Sequence, residues 1–167
     1  MSALRIRRFP DPLLKRPTQP VRRLDRAVVT FIEQLLATMR SQPRCVGLAA
    51  PQVGSSLRIA VMDGTGHPKV AGGHGLLVLV NPQILAAEGQ VLQREGCLSV
   101  PDWTANVRRA ARIRLEAFDQ FGTSRTVTLD GFEAVIAQHE IDHLEGTLFL
   151  DRVANVRTDV FRRKMYL

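Results

Sequence analysis

The stretch GFEAVIAQHEIDHLEGTL, residues 131–148, decides the fold because it predicts a helix with chemically active side chains on an interior face. Apolar residues recur in it at three- and four-residue steps, as a core-facing helix requires, at Phe132, Val135 and Ile136. At about 100° per residue, His139 and His143 fall in the same angular sector as these three. We therefore expect two imidazoles, one helical turn apart, to face the interior.

The order His139-Glu140-Ile141-Asp142-His143 is an H-E-x-x-H pattern, which lets two histidines reach one metal ion. Glu140 lies about 60° around the helix from His143, close enough to touch a metal-bound water without being a ligand. General base is the role that this position predicts. The alternative, two structurally hydrogen-bonded histidines beside an exposed Glu140, stays open on this evidence alone.

Two histidines do not complete a metal site, so a third ligand must come from elsewhere in the chain. The candidates are a carboxylate, the loop histidines His67 and His74, and the two cysteines Cys45 and Cys97. We expect the Gly-rich segment 64–75 to be a mobile surface loop with exposed histidines, which is a poor place for a preorganised ligand. Cys97 lies in EGCLSVP, residues 95–101, where a small buried hydrophobic role is an open alternative.

The stretch GLAAPQVG, residues 47–54, places a single amide side chain among small residues. Gln52 could donate that amide to a developing oxyanion. A plain turn between a helix and a strand is the alternative.

The segments around these motifs predict an α+β fold. Asp25 is a candidate N-cap for an amphipathic helix that ends before Pro43, and its apolar face is Val28, Phe31, Ile32, Leu35, Leu36 and Met39. Buried strands are expected over Leu57–Met62 and Leu76–Val80, and alternating residues predict a hairpin over 111–129 with its turn at Asp119–Gly122.

Length and composition favour one domain over residues 1–167, because 45% hydrophobic and 23% charged residues are ordinary for globular proteins. The longest apolar run is far shorter than the roughly 18 residues of a membrane span, and no signal-peptide pattern is present. We expect a bacterial cytoplasmic protein without membrane contact. The net charge of +7 could attract nucleic acid, but no long basic block is present, and sequence-specific binding is not expected.

Three motifs in order, residues 47–54, 95–101 and 138–146, together resemble those of the peptide deformylase family. This family of metalloenzymes removes the formyl group from the initiating methionine of nascent chains. Pro10-Asp11-Pro12 is also similar to the family, so the resemblance spans nearly the whole chain. It implies an α+β fold in which antiparallel strands pack around a central metal-binding helix.

The resemblance also implies roles for individual residues. Cys97, His139 and His143 would hold one divalent ion with a water or hydroxide at the fourth position, and Glu140 would shuttle the proton. Gln52 and the backbone N–H of Leu98 would form the oxyanion hole. Fe²⁺ is the metal that the resemblance implies in the cell, while Zn²⁺, Ni²⁺ or Co²⁺ would suit the same ligands in purified protein.

N-formylmethionyl nascent peptides are the substrates that follow. A metal ion lowers the pKa of its bound water from about 15.7 towards ~7, and the resulting hydroxide would attack the formyl group. We expect an apolar methionine pocket near Val46, Gly47 and Val135. Trp103 and Arg108 are further candidates to line the cleft, with a partly buried aromatic and a solvated base as their alternatives.

The chain departs from the family at Arg44-Cys45-Val46-Gly47, where many members have Glu-Gly-x-Gly, and this makes Cys45 a competitor of Cys97. The usual long basic C-terminal helix is here the short stretch 159–167, and transient ribosome contact through it is a hypothesis. Two other functions stay open: a small zincin-type peptidase, and a basic RNA-binding protein with a vestigial site.

Overall fold

Two antiparallel sheets pack around the second helix in the computed structural model, which describes residues 3–164. The predicted α+β class is confirmed. The helices are α1 (Arg26–Ser41), α2 (Gly131–Leu144) and α3 (Val156–Asp159), with 3₁₀ helices at Pro12–Lys15, Ala50–Val53 and Phe149–Arg152. The strands are β1 (Gly47–Ala49), β2 (Ile59–Asp63), β3 (Leu76–Glu88), β4 (Val91–Cys97), β5 (Val100–Arg109), β6 (Arg112–Phe118), β7 (Ser124–Asp130) and β8 (Val160–Arg162).

The larger sheet has the strand order β1-β2-β3-β6-β7, and the smaller has the order β4-β5-β8. Every pair within both sheets is antiparallel. Within the described part of the chain, β1 and β4 are therefore edge strands. Both edges border the site described below.

Strand β2 is buried on both faces because helices cover both sides of the larger sheet. Ile59 and Val61 pack in a cluster with α1, whereas Ala60 and Met62 pack in another with α2. Successive strand residues point to opposite faces, so a strand covered on both sides must be continuously apolar. This explains the apolar run that predicted a buried strand here, although the strand begins at Ile59 rather than Leu57.

Helix α1 forms as its sequence predicts. The Asp25 side chain accepts a hydrogen bond from the Val28 N–H at 3.0 Å, which caps the first turn. The helix ends at Ser41, before Pro43, and its apolar face is buried at Ile32, Leu35, Thr38 and Met39.

Helix α2 differs from its prediction in length and in burial. It ends at Leu144 rather than Leu148, and Gly146 follows with a φ of +73°, where the backbone of Arg16 lies 2.8 Å from the position of a Cβ. A side chain at this position would be both strained and excluded. The helix is also buried around most of its circumference rather than along one stripe, because the larger sheet packs on it and the Glu95, Cys97 and Arg109 side chains of the smaller sheet contact it.

Strands β4 and β5 were not predicted, because polar and charged residues interrupt their apolar alternation. Strand β3 continues to Glu88, beyond the predicted end at Val80, through an irregular register at Asn81. The Asn81 φ is +53°, and its side-chain amide exchanges two hydrogen bonds with the Val21 backbone at 2.8 and 2.9 Å. These bonds stabilise a bend in β3 at Asn81. The apolar pattern stops at this bend, which is why the sequence predicted the end of the strand at Val80.

The predicted hairpin is confirmed. Strands β6 and β7 pair in register, and Asp119 closes the turn by accepting hydrogen bonds from the Phe121 and Thr123 N–H groups, each at 2.9 Å. Ile113, Leu115 and Ala117 face the core as the alternation predicts. Among the helices described, none has the length and apolar character that a membrane crossing requires.

Candidate metal centre

Three potential metal ligands from distant positions meet between the end of β4 and helix α2. One ligand atom from each of Cys97, His139 and His143 lies within 4.8 Å of the other two. The Cys97 Sγ lies 3.2 Å from the His143 Nε2. The register of β4 against β5 becomes irregular between Gly96 and Cys97, and this places the sulfur at the end of the ladder, against the helix.

The orientation of His139 is held by Glu95, a residue that was not singled out from the sequence. The His139 Nδ1 lies 2.7 Å from a Glu95 carboxylate oxygen, which can only accept, so Nδ1 carries a proton and Nε2 is the ring nitrogen left to bind a metal. A carboxylate behind a metal-binding imidazole commonly fixes the ring in this way. Burial opposes ionisation of Glu95, but hydrogen bonds from Arg109 and His139 outweigh it and hold its pKa at about 2.

The Cys97 sulfur is surrounded by groups that favour its thiolate. Burial alone would raise its pKa, but the adjacent His143 and His139 imidazoles hold the pKa well below its ordinary value. The Gln52 amide and the Ser99 N–H each donate to the sulfur at 3.4 Å. Thiolate is the form that binds metals, so the environment prepares this cysteine as a ligand.

Cys45 has the opposite environment and lies outside the cluster of three. Its thiol donates to the Gly47 carbonyl oxygen at 3.1 Å. Burial, reinforced by the Glu140 carboxylate, raises the pKa of Cys45 to about 12. At neutral pH this sulfur is a protonated thiol engaged with the backbone.

Glu140 is buried beside the three ligands and against strand β1. Its carboxylate lies so close to Gly47 that a Cβ on that glycine would be 2.5 Å from the Glu140 Oε1. Burial raises the pKa of Glu140 to about 7, despite the nearby imidazoles, and its Oε2 has no hydrogen-bond partner among residues 3–164. A carboxyl group with this pKa can both accept and donate a proton near neutral pH.

These observations test whether the residues suit a metal ion. One sulfur and two imidazole nitrogens form a soft, three-ligand set, and three protein ligands are typical of catalytic sites that keep an open position. The carboxylate support of His139 and the partnerless oxygen of Glu140 beside the ligands fit the same arrangement. The residues fit a divalent transition metal.

A buried ion network extends from the site through Arg109, which lies in none of the sequence motifs. Its guanidinium donates to both oxygens of Glu95 at 2.7 and 2.9 Å and to Asp142 at 2.6 Å. Asp142 lies on α2 beside His143 and also accepts from Arg152. Arg109 thus connects the support of one histidine to the helix that carries both.

We expect Arg109→Met to destabilise the fold strongly, because it leaves the buried Glu95 carboxylate without its guanidinium partner and removes one of the two cations that pair with Asp142. Breaking a buried ion pair by removing one partner typically costs about 3–5 kcal/mol. Urea unfolding of the metal-free protein measures the change. Arg112→Met is the matched control, since its pair with Asp130 is exposed to solvent and should contribute little to stability. Equal losses in the two variants would contradict the structural role of the network.

The ligand cluster opens into a cleft of about 530 Å³. Each remaining residue selected from the sequence borders this cleft: Val46, Gly47, Gln52, Leu98 and Val135. Trp103 and Arg108 do not border it, and the alternatives hold for both: a partly buried aromatic and a solvent-exposed base. Trp103 is 38% exposed beneath Arg162, and Arg108 lines a separate cavity on the far side of α2.

The expectation that both loop histidines are exposed is confirmed for His74 and wrong for His67, which is half-buried. The His67 ring stacks on Phe132 with 4.3 Å between ring centroids, and both rings border the cleft. The exposed His74 ring has its Nδ1 2.8 Å from the buried Glu133 carboxylate. The backbone N–H of His74 donates to the same carboxylate. The loop is therefore attached to the start of α2 by polar contacts between residues that are distant in sequence.

The Gln52 side chain is more constrained than a turn residue needs to be. Its amide oxygen accepts from the Ala49 N–H at 2.9 Å, and this bond directs the amide nitrogen toward Cys97 and Ser99. The side chain is 2% exposed. The donor end of the amide therefore faces the ligand cluster.

Comparison with known proteins adds an independent finding. A family profile described as "Polypeptide deformylase" matches residues 3–159. A peptide deformylase of Syntrophobacter fumaroxidans is 41% identical over 98% of this chain and 94% of its own length. One from Halothermothrix orenii is 42% identical over 93% of this chain and 97% of its own. A crystal structure of a peptide deformylase from Legionella pneumophila superposes with a TM-score of 0.85 at 38% identity, covering 93% of this chain and 89% of that one.

Proposed function

This chain belongs to the polypeptide deformylase family, and from that premise we propose that Cys97, His139 and His143 hold its metal ion. The family removes the N-formyl group from nascent peptides in a metal-dependent reaction, and this chain is an enzyme of that class. One observation carries the assignment of the residues. Three ligand atoms within 4.8 Å of one another lie beside a buried carboxylate at the base of a cleft.

The proton transfers are assigned to Glu140. A divalent ion, when bound, supplies Lewis acidity and lowers the pKa of water in the site. The Glu140 carboxylate accepts the proton of the water that attacks the formyl carbon, and it returns that proton to the departing amine nitrogen. Formate and a free amino terminus result. The pKa of about 7 suits both halves of this transfer.

We assign stabilisation of the developing oxyanion to the Gln52 amide and the Leu98 backbone N–H. The Gln52 nitrogen is directed toward the ligand cluster by the hydrogen bond from Ala49, so little reorganisation is needed during the reaction. Leu98 directly follows the ligand Cys97 and borders the same cleft.

The formyl-methionine side chain is assigned to the apolar part of the cleft. Val46 and Val135 border it, and the absence of a side chain at Gly47 keeps the approach to Glu140 open. Strands β1 and β4 are both edge strands at this cleft, so an extended peptide could pair with either of them.

We propose Fe²⁺ as the ion in the cell, with Zn²⁺, Ni²⁺ or Co²⁺ accepted by the same ligands after purification. A cytoplasmic location follows from the substrate, because nascent chains carry the formyl group where they are made.

One catalytic domain over residues 1–167 stays a prediction. Transient ribosome contact through residues 159–167 stays a hypothesis, and residues 165–167 lie outside the described part of the chain.

Formate release from a formyl-Met peptide by protein purified without air tests this function, with bound metal quantified in parallel. The same peptide without the formyl group is the control. We expect one metal ion per chain and formate only from the formylated peptide. Cleavage of internal peptide bonds without formate would instead indicate a peptidase. Salt-dependent RNA binding by a protein without metal would support the vestigial-site alternative.

Gln52→Ala is expected to reduce kcat by about 10²–10³, the usual loss for one oxyanion donor. The substitution also removes the acceptor of the Ala49 N–H, so we expect a modest decrease in the free energy of unfolding as well. Single-turnover kinetics and a thermal melt separate the two effects. Gln93→Ala is the control, because the Gln93 amide donates to the carbonyl oxygen of the neighbouring Arg94 and does not border the cleft. Unchanged turnover would remove Gln52 from the mechanism.

A further inference from the structure

Four cationic side chains surround the outer end of the cleft, and we call them the cationic rim: Arg44, Arg94, Arg163 and Lys164. Among the ion pairs within residues 3–164, none involves a member of this rim. The two carboxylates of the cleft, Glu95 and Glu140, are 6% and 4% exposed and lie at its base. Among residues 3–164, the exposed charged side chains that line the cleft are therefore all cationic.

Two members of the cationic rim are held in place before any substrate arrives. The Arg94 guanidinium lies 3.6 Å from the Phe161 ring centroid, and its Nε donates to the Asn106 side chain at 2.8 Å. The backbone N–H of Arg163 donates to the Asp102 carbonyl oxygen at 2.8 Å. These contacts tie both residues to strand β5 and its partner β8, which reduces the entropy lost when an anion binds.

Arg163 also lies directly against strand β4, next to a proposed metal ligand. Its guanidinium occupies the space where a Cβ on Gly96 would stand, and Gly96 immediately precedes Cys97. A peptide leaving the metal centre along the β4 edge must therefore pass this cation. Arg163, which follows β8, therefore places a positive charge beside the metal centre.

We propose that the cationic rim selects formylated chains with an acidic side chain within the first three residues after formyl-methionine. This inference rests on the proposed function. An extended peptide advances about 3.3 Å per residue, so three residues span roughly 10 Å. Because Arg163 lies against Gly96 beside the proposed metal ligand Cys97, a carboxylate within this span comes within the screening length of about 8 Å of the rim.

The test compares kcat/KM for formyl-Met-Ala-X-Ser peptides in which X is Glu, Gln or Lys, with a second series that carries X directly after methionine. Amidated C-termini ensure that X alone changes the charge. We expect Glu to exceed Gln by about three- to tenfold at low salt, mainly through KM, with Lys below both. The ratio should approach one at high salt because screening removes the attraction.

Variants assign the preference to particular residues. Arg163→Gln with Lys164→Gln should reduce the Glu-to-Gln ratio by at least half, and Arg163→Glu should shift the preference toward Lys. Arg114→Gln is the matched control, because Arg114 is exposed on the face of the larger sheet opposite Ile113 and Leu115. Calorimetric binding of the unformylated products provides a second measurement that does not depend on turnover.

Equal kcat/KM for the Glu and Gln peptides in both series would overturn the inference. Such equality is also the result expected if the rim served RNA phosphates instead of peptides. A preference that persists unchanged in the doubly substituted protein would overturn the assignment to the C-terminal segment. Failure of every formylated peptide to release formate would refute the proposed function itself.

Discussion

Glu140→Gln is expected to yield a folded protein that retains its metal but releases formate about 10²–10⁴ times more slowly, the usual loss of a general acid–base group. The substitution preserves shape, but an amide cannot accept the proton of the attacking water. Because the side chain is 4% exposed, bulk water is poorly placed to replace it. Steady-state formate release, with metal content measured on the same sample, tests the expectation.

Glu88→Gln is the matched control for this variant. Glu88 is exposed at the end of β3 and outside the cleft, so the same change in charge should leave turnover at the wild-type rate. Wild-type turnover in Glu140→Gln would contradict the proton-transfer assignment. Loss of metal in Glu140→Gln would show that this carboxylate also supports the ligands.

Cys97→Ala is expected to abolish stable metal binding and, with it, formate release. Removing an outer partner of a metal ligand typically costs 10- to 100-fold in affinity, so loss of the ligand itself should exceed about 100-fold. Elemental analysis gives the stoichiometry. Absorption of the cobalt-loaded protein gives a second measurement, because thiolate-to-cobalt charge transfer disappears with the sulfur.

Cys45→Ala is the control that the chain itself provides. Its thiol faces the Gly47 carbonyl oxygen, and burial raises its pKa to about 12, so its loss should leave metal content near one per chain. The two variants therefore separate the competing cysteines directly. Retention of metal and of the charge-transfer band by Cys97→Ala would remove the basis of the proposed site.

The helix that carries the chemistry was predictable because its essential geometry is local. His139 and His143 are one turn apart in any α-helix, and Glu140 follows on a neighbouring face. Both histidines face the interior as predicted, with His143 fully buried and His139 partly buried, although the reason for the prediction was incomplete. The apolar stripe indicated one buried face, whereas α2 is covered around most of its circumference, and its C-terminal end is set by Gly146.

The smaller sheet was missed because its stability does not depend on a local apolar alternation. Glu95 and Arg109 stand where strand periodicity would place apolar residues, and they are buried because they pair with each other across β4 and β5. A buried ion pair has no signature in either segment read alone. The same reason kept Arg109 and the orientation of His139 out of the sequence-based prediction.

The sequence by itself determined the α+β class, the capped helix α1, the β6–β7 hairpin and the spacing of two histidines around Glu140. These features depend on hydrogen bonds and periodicity within short segments. Only the tertiary structure decided which sulfur meets the imidazoles, which carboxylate holds His139, and which cations surround the cleft. Those contacts join residues tens of positions apart, and they depend on strand register and on how the smaller sheet packs against α2, which no local pattern encodes.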